Sequence, residues 1–166
     1  ISFYFFGDGK EVEEHKSYVK KTHLNQVYFM GLVESKFIPS ILTQSDLNII
    51  SGHSIPLYKY GLSLNKLFDY LASEKPTLSN LVCGYDILEK YGAGITLENS
   101  TPDALAMKIL FFKEMNSSDY EKYCRNAGKA ARDFDYRNLA SNYIEIIKDT
   151  LKRKDNKKGE FHECKK

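Results

Sequence analysis

The residues best suited to chemistry lie in the stretch 60–76, where a glycine-containing loop leads into a short helix that Pro76 ends before a strand. Asn65 is predicted to cap the start of this helix, because its side-chain oxygen can accept a bond from an unpaired backbone N–H. Free N–H groups at a helix N-terminus make a ready site for an anion. Asp69 lies one turn into the helix, and its carboxylate can reach a neighbouring hydroxyl. Together these groups suit a sugar nucleotide.

The same stretch also fits an ordinary amphipathic helix. Four apolar residues at helical spacing predict one buried stripe, namely Leu67, Phe68, Leu71 and Ala72. Lys66, Asp69 and Ser73 share the opposite side, where Lys66 and Asp69 would make only a surface ion pair. The local pattern by itself favours this structural interpretation, so the position of the stretch in the fold has to decide between the two.

Two further motifs are incomplete. Gly7 and Gly9 follow an apolar strand as in a dinucleotide-binding turn, but Val12 stands where that turn needs a third glycine. A tight strand-to-helix turn is expected there instead. Ser63 and Lys66 match the S-x-x-K pattern of penicillin-binding enzymes, yet the companion S-D-N and K-T-G motifs are missing. An unrelated α/β enzyme with Ser63 as nucleophile is therefore the least favoured alternative.

Composition narrows the classes of function. Of the 166 residues, 42% are hydrophobic and 28% charged, as is usual for a soluble globular protein. Residues 152–166 hold seven basic and three acidic residues, whereas residues 1–151 hold 17 basic and 19 acidic ones. The net charge of +2 thus comes from the tail, and the body is not expected to bind nucleic acid. No apolar run reaches the roughly 18 residues that a membrane span needs.

The cysteines do not indicate a disulfide framework or a metal site. Cys83, Cys124 and Cys164 are odd in number and widely spaced, which favours reduced cytosolic thiols. His162 lies close to Cys164, but two further ligands of suitable spacing are missing.

Alternation of apolar runs with helical patterns predicts an α/β fold, a Rossmann-like parallel sheet with helices on both faces and a helical C-terminal part. Strands are predicted at 2–6, 27–30, 47–50, 77–81 and 94–97, the first of them buried on both faces. Helices are predicted at 11–22, 36–44, 65–75, 85–90, 101–115, 118–134 and 137–152. Thr101 should cap one of the late helices, and Ser118 with Glu121 should form a capping box for the next. One domain over 1–152 with a charged, disordered tail over 153–166 is expected.

The predicted sheet places the loops that can bind a ligand. Ligands of such sheets bind beyond the carboxyl ends of the strands, so the loops 7–9, 31–35, 51–64 and 81–84 should share one edge. The loop 51–64 is long, and long loops inside compact domains are usually functional. Within it, His53 is expected to be solvated, while Tyr58 and Tyr60 could border a ligand. This placement favours the anion-binding interpretation of 60–76.

Several blocks of sequence occur in the order found in one enzyme family. They are Gly7-Asp8-Gly9 after the first strand, then 27–31, 45–50 and 61–76. The last block resembles the S-P-N-K-L-F-E-Y-M-A-x-G-K-P-x-I form of that family. On these residues, about 2–150 of the chain resembles the C-terminal, donor-binding half of a GT-B glycosyltransferase of family 4, the retaining group 1 transferases.

The resemblance implies roles for the matching positions. It implies a ribose contact for Asp69. It implies a diphosphate site at four residues of the turn, Ser63, Leu64, Asn65 and Lys66. It also places three glycines around the cleft, with Gly31 near the base and Gly7 and Gly9 in the first loop.

The sequence departs from the family pattern in ways that bear on function. Gly61 stands eight residues before Asp69, where the family has the first carboxylate of its E-x7-E pattern, so the usual donor-sugar contact is in doubt. Leu64 replaces a proline and Glu74 replaces a glycine. The family's first strand and helix of this half, with an Arg and a Lys for the donor phosphates, are not found, nor is its acceptor-binding N-terminal domain. A sheet lacking that central strand should expose apolar edges, through which the chain can associate with another copy.

The resemblance therefore implies transfer of a sugar from a nucleotide diphosphate, often a UDP-sugar, to a glycan or lipid-linked acceptor in surface polysaccharide synthesis. The chain alone is not expected to be active, no cofactor is expected, and no catalytic residue is assigned. No metal is implied, because the only D-x-D, at Asp133 and Asp135, lies at a helix end and is interpreted as a cap or surface pair. The expected location is cytoplasmic or peripheral at the inner face of the cell membrane. The alternative is a non-catalytic nucleotide-binding or interaction module, which Gly61 favours.

Overall fold

The computed structural model describes the backbone of residues 1–163 and the side chains of residues 1–153. Its contacts divide the chain into two compact units, Ile1–Gln44 and Ser45–Lys166, here termed the N-terminal and the C-terminal unit. The predicted domain boundary at residue 152 is a separate matter and stays a prediction.

The N-terminal unit is built on two parallel strands. Its elements are β1 (Phe3–Phe6), α1 (Val12–Lys21), β2 (Val27–Gly31), a 3-10 turn (Ser35–Phe37) and α2 (Ile38–Thr43). β1 pairs with β2 in parallel, and Tyr4 stacks on Tyr28 with ring centroids 5.0 Å apart. The expectation that β1 is buried on both faces is wrong: Tyr4 and Phe5 are 57% and 53% exposed. A two-stranded sheet offers too little cover for aromatic residues on both of its faces.

The C-terminal unit is built on three parallel strands in the order β3 (Asn48–Ile50), β4 (Thr77–Ser79) and β5 (Gly94–Thr96). Its helices are α3 (Asn65–Ala72), α4 (Ile87–Tyr91), α5 (Pro102–Glu114), α6 (Ser117–Asp133) and α7 (Tyr136–Glu163). The predicted α/β class with parallel strands and a helical C-terminal part is confirmed. In the described chain, however, the strands form two sheets and not one.

The core of the C-terminal unit lies where α3 and α6 pack beside the sheet. Leu67 and Leu71 of α3 are buried, as the predicted stripe requires, and Phe68 is half-buried. Ala72 is exposed and Ser73 is buried, which reverses the prediction for these two residues. The reason is that α3 ends at Ala72. The Ser73 hydroxyl then donates to the Tyr70 carbonyl at 2.7 Å and accepts from the Asn48 amide at 3.1 Å.

Glu74 adopts a left-handed backbone conformation directly after α3, with φ of 56°. A side chain in this conformation is crowded against its own backbone, which is why glycine is favoured at such a position. The glycine of the resembling family pattern therefore has a backbone reason that Glu74 does not satisfy. Its carboxylate lies 3.8 Å from Arg132 in an exposed ion pair, which contributes little.

The helix caps agree with the prediction at one helix and differ at another. Thr101 caps α5, since its hydroxyl accepts from the Ala104 N–H at 3.3 Å. The predicted capping box at Ser118 is wrong. The cap lies two residues earlier, at Asn116, whose side-chain oxygen accepts from the Asp119 N–H at 3.0 Å.

Helix α7 continues past the predicted end at residue 152 as far as Glu163, and its side chains over 136–153 are all exposed. The part of the predicted tail at 164–166 lies outside the described residues. None of the helices in the described part combines the length and the apolar character that crossing a membrane requires.

Replacing Glu74 measures the free-energy cost of a side chain in the left-handed backbone conformation at this position. We expect Glu74→Gly to be more stable than Glu74→Ala by about 1 kcal/mol, because both lose the ion pair and only alanine keeps the strain. Chemical unfolding of the two variants gives the difference. The same pair of substitutions at Lys129 in α6 is the control, where glycine should be the less stable by about 1 kcal/mol. Equal stability of the two Glu74 variants would contradict the strain.

Removing the α6 cap tests where the helix begins. Asn116→Ala should cost about 1 kcal/mol of unfolding free energy, because the Asp119 N–H loses its acceptor. Ser118→Ala is the matched control and should cost less than about 0.5 kcal/mol. The reverse order of the two costs, measured by thermal unfolding, would restore the capping box.

Candidate functional site

The loop 51–64 leaves the carboxyl end of β3 and reaches the start of α3. Within it, Pro56–Tyr60 form a 3-10 turn. A two-way amide pair joins the start of this loop to the residue that follows β4: the Gly52 N–H donates to Asn80 Oδ1 at 3.0 Å, and Asn80 Nδ2 donates to the Gly52 carbonyl at 3.2 Å. The parallel strands thus bring the two loops to one edge, as predicted for this unit.

The start of α3 has no side-chain cap. Leu64 is the cap residue and Asn65 is the first helical residue, so the prediction that Asn65 caps the helix is wrong. The Leu67 N–H donates to the Leu64 carbonyl at 2.9 Å, which closes the first turn. The side chains of Ser63, Asn65 and Lys66 are exposed around it. Uncapped N–H groups at this position leave hydrogen-bonding capacity for an anion.

Asp69 projects from the next turn of α3 and is exposed. Among the side chains that the structure describes, no ion pair joins it to Lys66. The surface pair expected from the simple amphipathic interpretation is therefore not formed. Burial, followed by the charge of Asp69, raises the pKa of the neighbouring Tyr70 phenol.

The loop 80–86, here termed the wall, lies beside the loop 51–64, and the two loops contact each other through their backbones. The Gly84 N–H donates to the Tyr58 carbonyl at 2.9 Å. A Cβ atom on Gly84 would lie 1.9 Å from the Lys59 carbonyl oxygen, so only glycine fits this contact. Gly61 has φ of +118°, and its missing Cβ would lie 3.7 Å from Tyr85 Cβ. The positive φ thus favours glycine at position 61, and this residue lies next to Tyr85.

Tyr85 and Lys90 form a polar pair on this wall, which the sequence analysis missed. Lys90 Nζ donates to the Tyr85 hydroxyl at 2.5 Å and lies 4.8 Å from the centre of the Tyr85 ring. It also lies 5.8 Å from the centre of the Tyr91 ring. Beside the pair, burial and the charge of Asp86 raise the pKa of the Cys83 thiol, which argues against a reactive thiolate. Gly84 was the sequence feature that could have indicated this pair, because two loops approach each other this closely only where one of them has a glycine.

The other predicted site residues lie in the N-terminal unit. The Gly7 N–H donates to the Gly31 carbonyl at 2.8 Å, so these two are brought together where β1 and β2 end. Both have positive φ, 126° and 72°. The Gly9 N–H donates to Asp8 Oδ1 at 2.8 Å, which makes a tight turn into α1. The predicted site therefore consists of two groups, these three glycines in one unit and five residues of 63–69 in the other.

The two aspartates of the D-x-D have structural roles. Asp133 Oδ2 accepts from the Tyr91 hydroxyl at 3.0 Å, and Asp135 Oδ1 accepts from the Arg137 N–H at 2.8 Å. The interpretation of this D-x-D as a cap or surface pair is confirmed. Over the described residues, no group of three His, Cys, Asp or Glu side chains is placed to hold a metal ion.

A cavity of about 590 Å³ lies elsewhere, among α4, α5, α6 and the start of β5. None of the predicted site residues lines it, and its charged lining is mainly acidic, with Glu89, Glu114 and Asp119 against Lys122. Such a lining disfavours a diphosphate. The loops at the carboxyl edge are the better candidate site.

Comparison with known proteins gives matches in structure and none in sequence. No family model matches the chain, and no curated protein sequence matches it. The Anabaena protein HepE (Alr3699) in complex with UDP-glucose matches with a TM-score of 0.70 at 20% identity, over 89% of this chain and 41% of that one. A glycosyltransferase from Rickettsia africae gives 0.69 at 18%, over 92% and 41%. WaaG, a glycosyltransferase involved in lipopolysaccharide biosynthesis, gives 0.62 at 17%, over 88% and 38%.

These matches identify the fold. The chain spans about two fifths of the length of the HepE and Rickettsia africae chains. Its α/β fold, with parallel strands flanked by helices, is that of the C-terminal half of GT-B glycosyltransferases.

Proposed function

We propose that the chain is the donor-binding half of a retaining glycosyltransferase of family 4, which transfers a sugar from a nucleotide diphosphate, foremost a UDP-sugar. The observation that carries the proposal is the uncapped start of α3 at the carboxyl edge of the sheet, with the exposed Asp69 carboxylate one turn later. Support comes from HepE, a solved protein of the same fold that holds UDP and UDP-glucose.

The diphosphate would bind at the start of α3. The backbone N–H groups of residues 63–66 and the positive end of the helix dipole favour a negative group there. Lys66 adds a mobile positive charge from the exposed face. Fixed donors of this kind stabilise the charge that develops on a leaving diphosphate, and they need no metal to do so.

Each unit has proposed contacts for the nucleoside. Asp69 can accept hydrogen bonds from the two ribose hydroxyls, because a carboxylate has two acceptor oxygens. Gly31 is proposed near the base, with Gly7 and Gly9 shaping the first loop. These three lie in the N-terminal unit and are exposed, and Gly7 and Gly31 have positive φ.

The remainder of the transferase would supply the acceptor site. The solved neighbours extend well beyond the part that this chain matches, and we assign to such a further half the binding of a glycan or lipid-linked acceptor in surface polysaccharide synthesis. A cytoplasmic enzyme, peripheral at the inner face of the membrane, fits such an acceptor. The exposed aromatic side chains of β1 and β2 also offer a surface for a second copy.

A non-catalytic nucleotide-binding module is the alternative, and Gly61 favours it. The backbone of Gly61 at φ +118° disfavours any side chain there, so this position cannot provide a carboxylate for the donor sugar without strain. Turnover separates the two functions. A transferase with its acceptor half present moves the sugar of a UDP-sugar to the acceptor and releases UDP, whereas a binding module holds the nucleotide and releases none.

Titration with UDP tests the donor site directly. We expect calorimetry to show one UDP bound per chain at micromolar to sub-millimolar concentration. Adenosine diphosphate, which carries the same diphosphate on another base, serves as the comparison ligand. No heat of binding at millimolar UDP would remove the proposed function for this chain.

Replacing Asp69 tests the ribose contact. Asp69→Ala should weaken UDP binding roughly tenfold or more, the effect of losing hydrogen bonds to a charged acceptor. Asp149→Ala is the control, because it removes an equally exposed helical carboxylate on α7. The unfolding midpoint should be unchanged in both variants. Unchanged UDP affinity in Asp69→Ala would refute the ribose role.

A further inference from the structure

We infer that Tyr85 and Lys90 together form a second contact for the donor and bind an anionic group beyond the nucleoside. That group is the outer phosphate of the diphosphate. This inference rests on the proposed function, since it adds a contact to the same site. It concerns residues that neither the predicted site nor the helix start includes.

Position is the first argument. Tyr85 follows Gly84, whose backbone is locked onto the loop 51–64 through the Tyr58 carbonyl. Tyr85 Cβ also lies next to Gly61, which is four residues before the start of α3. The Tyr85 side chain is 45% exposed. A side chain that leaves this wall therefore belongs to the same loop edge as the proposed diphosphate site.

The hydrogen-bonding capacity of the pair is the second argument. An ammonium has three donors, and Lys90 directs one of them to the Tyr85 hydroxyl. The phenol accepts that bond, so its own O–H is left to donate. Two N–H groups of Lys90 and the O–H group of Tyr85 then remain to donate to a ligand. Groups that only donate suit the oxygen atoms of a phosphate or carboxylate.

The charge around the pair is the third argument. The loop 51–64 contains no Asp or Glu. Two acidic residues adjoin the pair in sequence, Asp86 and Glu89. Asp86 is occupied as the cap of α4, where it accepts from the Glu89 N–H at 3.1 Å, and Glu89 lines the separate cavity among α4, α5 and α6. Asp133 accepts from the Tyr91 hydroxyl. Over the described side chains, Lys90 forms no ion pair with a carboxylate.

Lys90 also stays charged at neutral pH. Its hydrogen bond with Tyr85 raises the pKa of the ammonium above its usual value. The hydrogen bond to Tyr85 and the cation–π contact with the Tyr91 ring limit the freedom of the ammonium. Less side-chain entropy is then lost when an anion binds than for a freely moving lysine.

Four ligands and two variants test the pair by calorimetry on the whole chain. The ligands are UMP, UDP, UDP-glucose and UDP-glucuronate, which add the outer phosphate, the sugar and a sugar carboxylate in turn. Lys90→Met removes the charge and keeps the length of the side chain, and Tyr85→Phe removes only the hydroxyl. Lys108→Met is the matched control, because Lys108 lies 5.4 Å from the centre of the Phe111 ring on α5 and removing it loses a similar contact.

In Lys90→Met we expect roughly tenfold weaker binding of UDP and UDP-glucose, the effect of one charge-assisted hydrogen bond, with UMP binding unchanged. Tyr85→Phe should show a smaller loss with the same ligands, and Lys108→Met none. A loss confined to UDP-glucuronate would still support an anion contact but would assign it to the sugar carboxylate.

Unchanged affinity for all four ligands, or an equal loss for UMP, would overturn the inference. Both results leave the proposed function intact as long as the unaltered chain binds UDP. Failure of the unaltered chain to bind UDP would instead remove the proposed function, and this inference with it.

Discussion

The parallel pairing of β3, β4 and β5 is the constraint on which the candidate site depends. Parallel strands end at the same edge, so the loops after β3 and β4 must leave the sheet side by side. Asn80 then joins the two loops through Gly52, and Gly84 brings their backbones into contact near Lys59. The uncapped start of α3 emerges from this arrangement. Neither loop could hold its shape alone, because short irregular segments have few contacts of their own.

Two backbone positions show how the chain differs from the family pattern that it resembles. Glu74 occupies a left-handed position where the pattern has glycine, so it stores strain next to the core. Gly61 occupies a position where the pattern has a carboxylate, and its positive φ suits glycine. Beside Gly61 the wall offers Tyr85 and Lys90. Gly61, which lacks the carboxylate of the family pattern, therefore lies next to the hydrogen-bond donors of Tyr85 and Lys90.

In the N-terminal unit, many aromatic side chains pack on one another and stay exposed. Its two strands pair in parallel, and their aromatic residues stack across the pairing, Tyr4 on Tyr28 and Phe5 on Phe29. Much of this apolar surface is exposed. Large apolar surfaces of this kind indicate contact with further protein.

The sequence by itself determined the elements and their type. Apolar runs and helical spacing located the five strands of the described residues, and Thr101 marked the start of α5, since these features depend on neighbours along the chain. Only the tertiary structure decided that Asn65 does not cap α3, that Ser73 is buried, and that Tyr85 and Lys90 pair beside Gly61. These outcomes depend on where a helix ends and which loops touch. Contacts between residues far apart in the chain set both, and no local pattern records them.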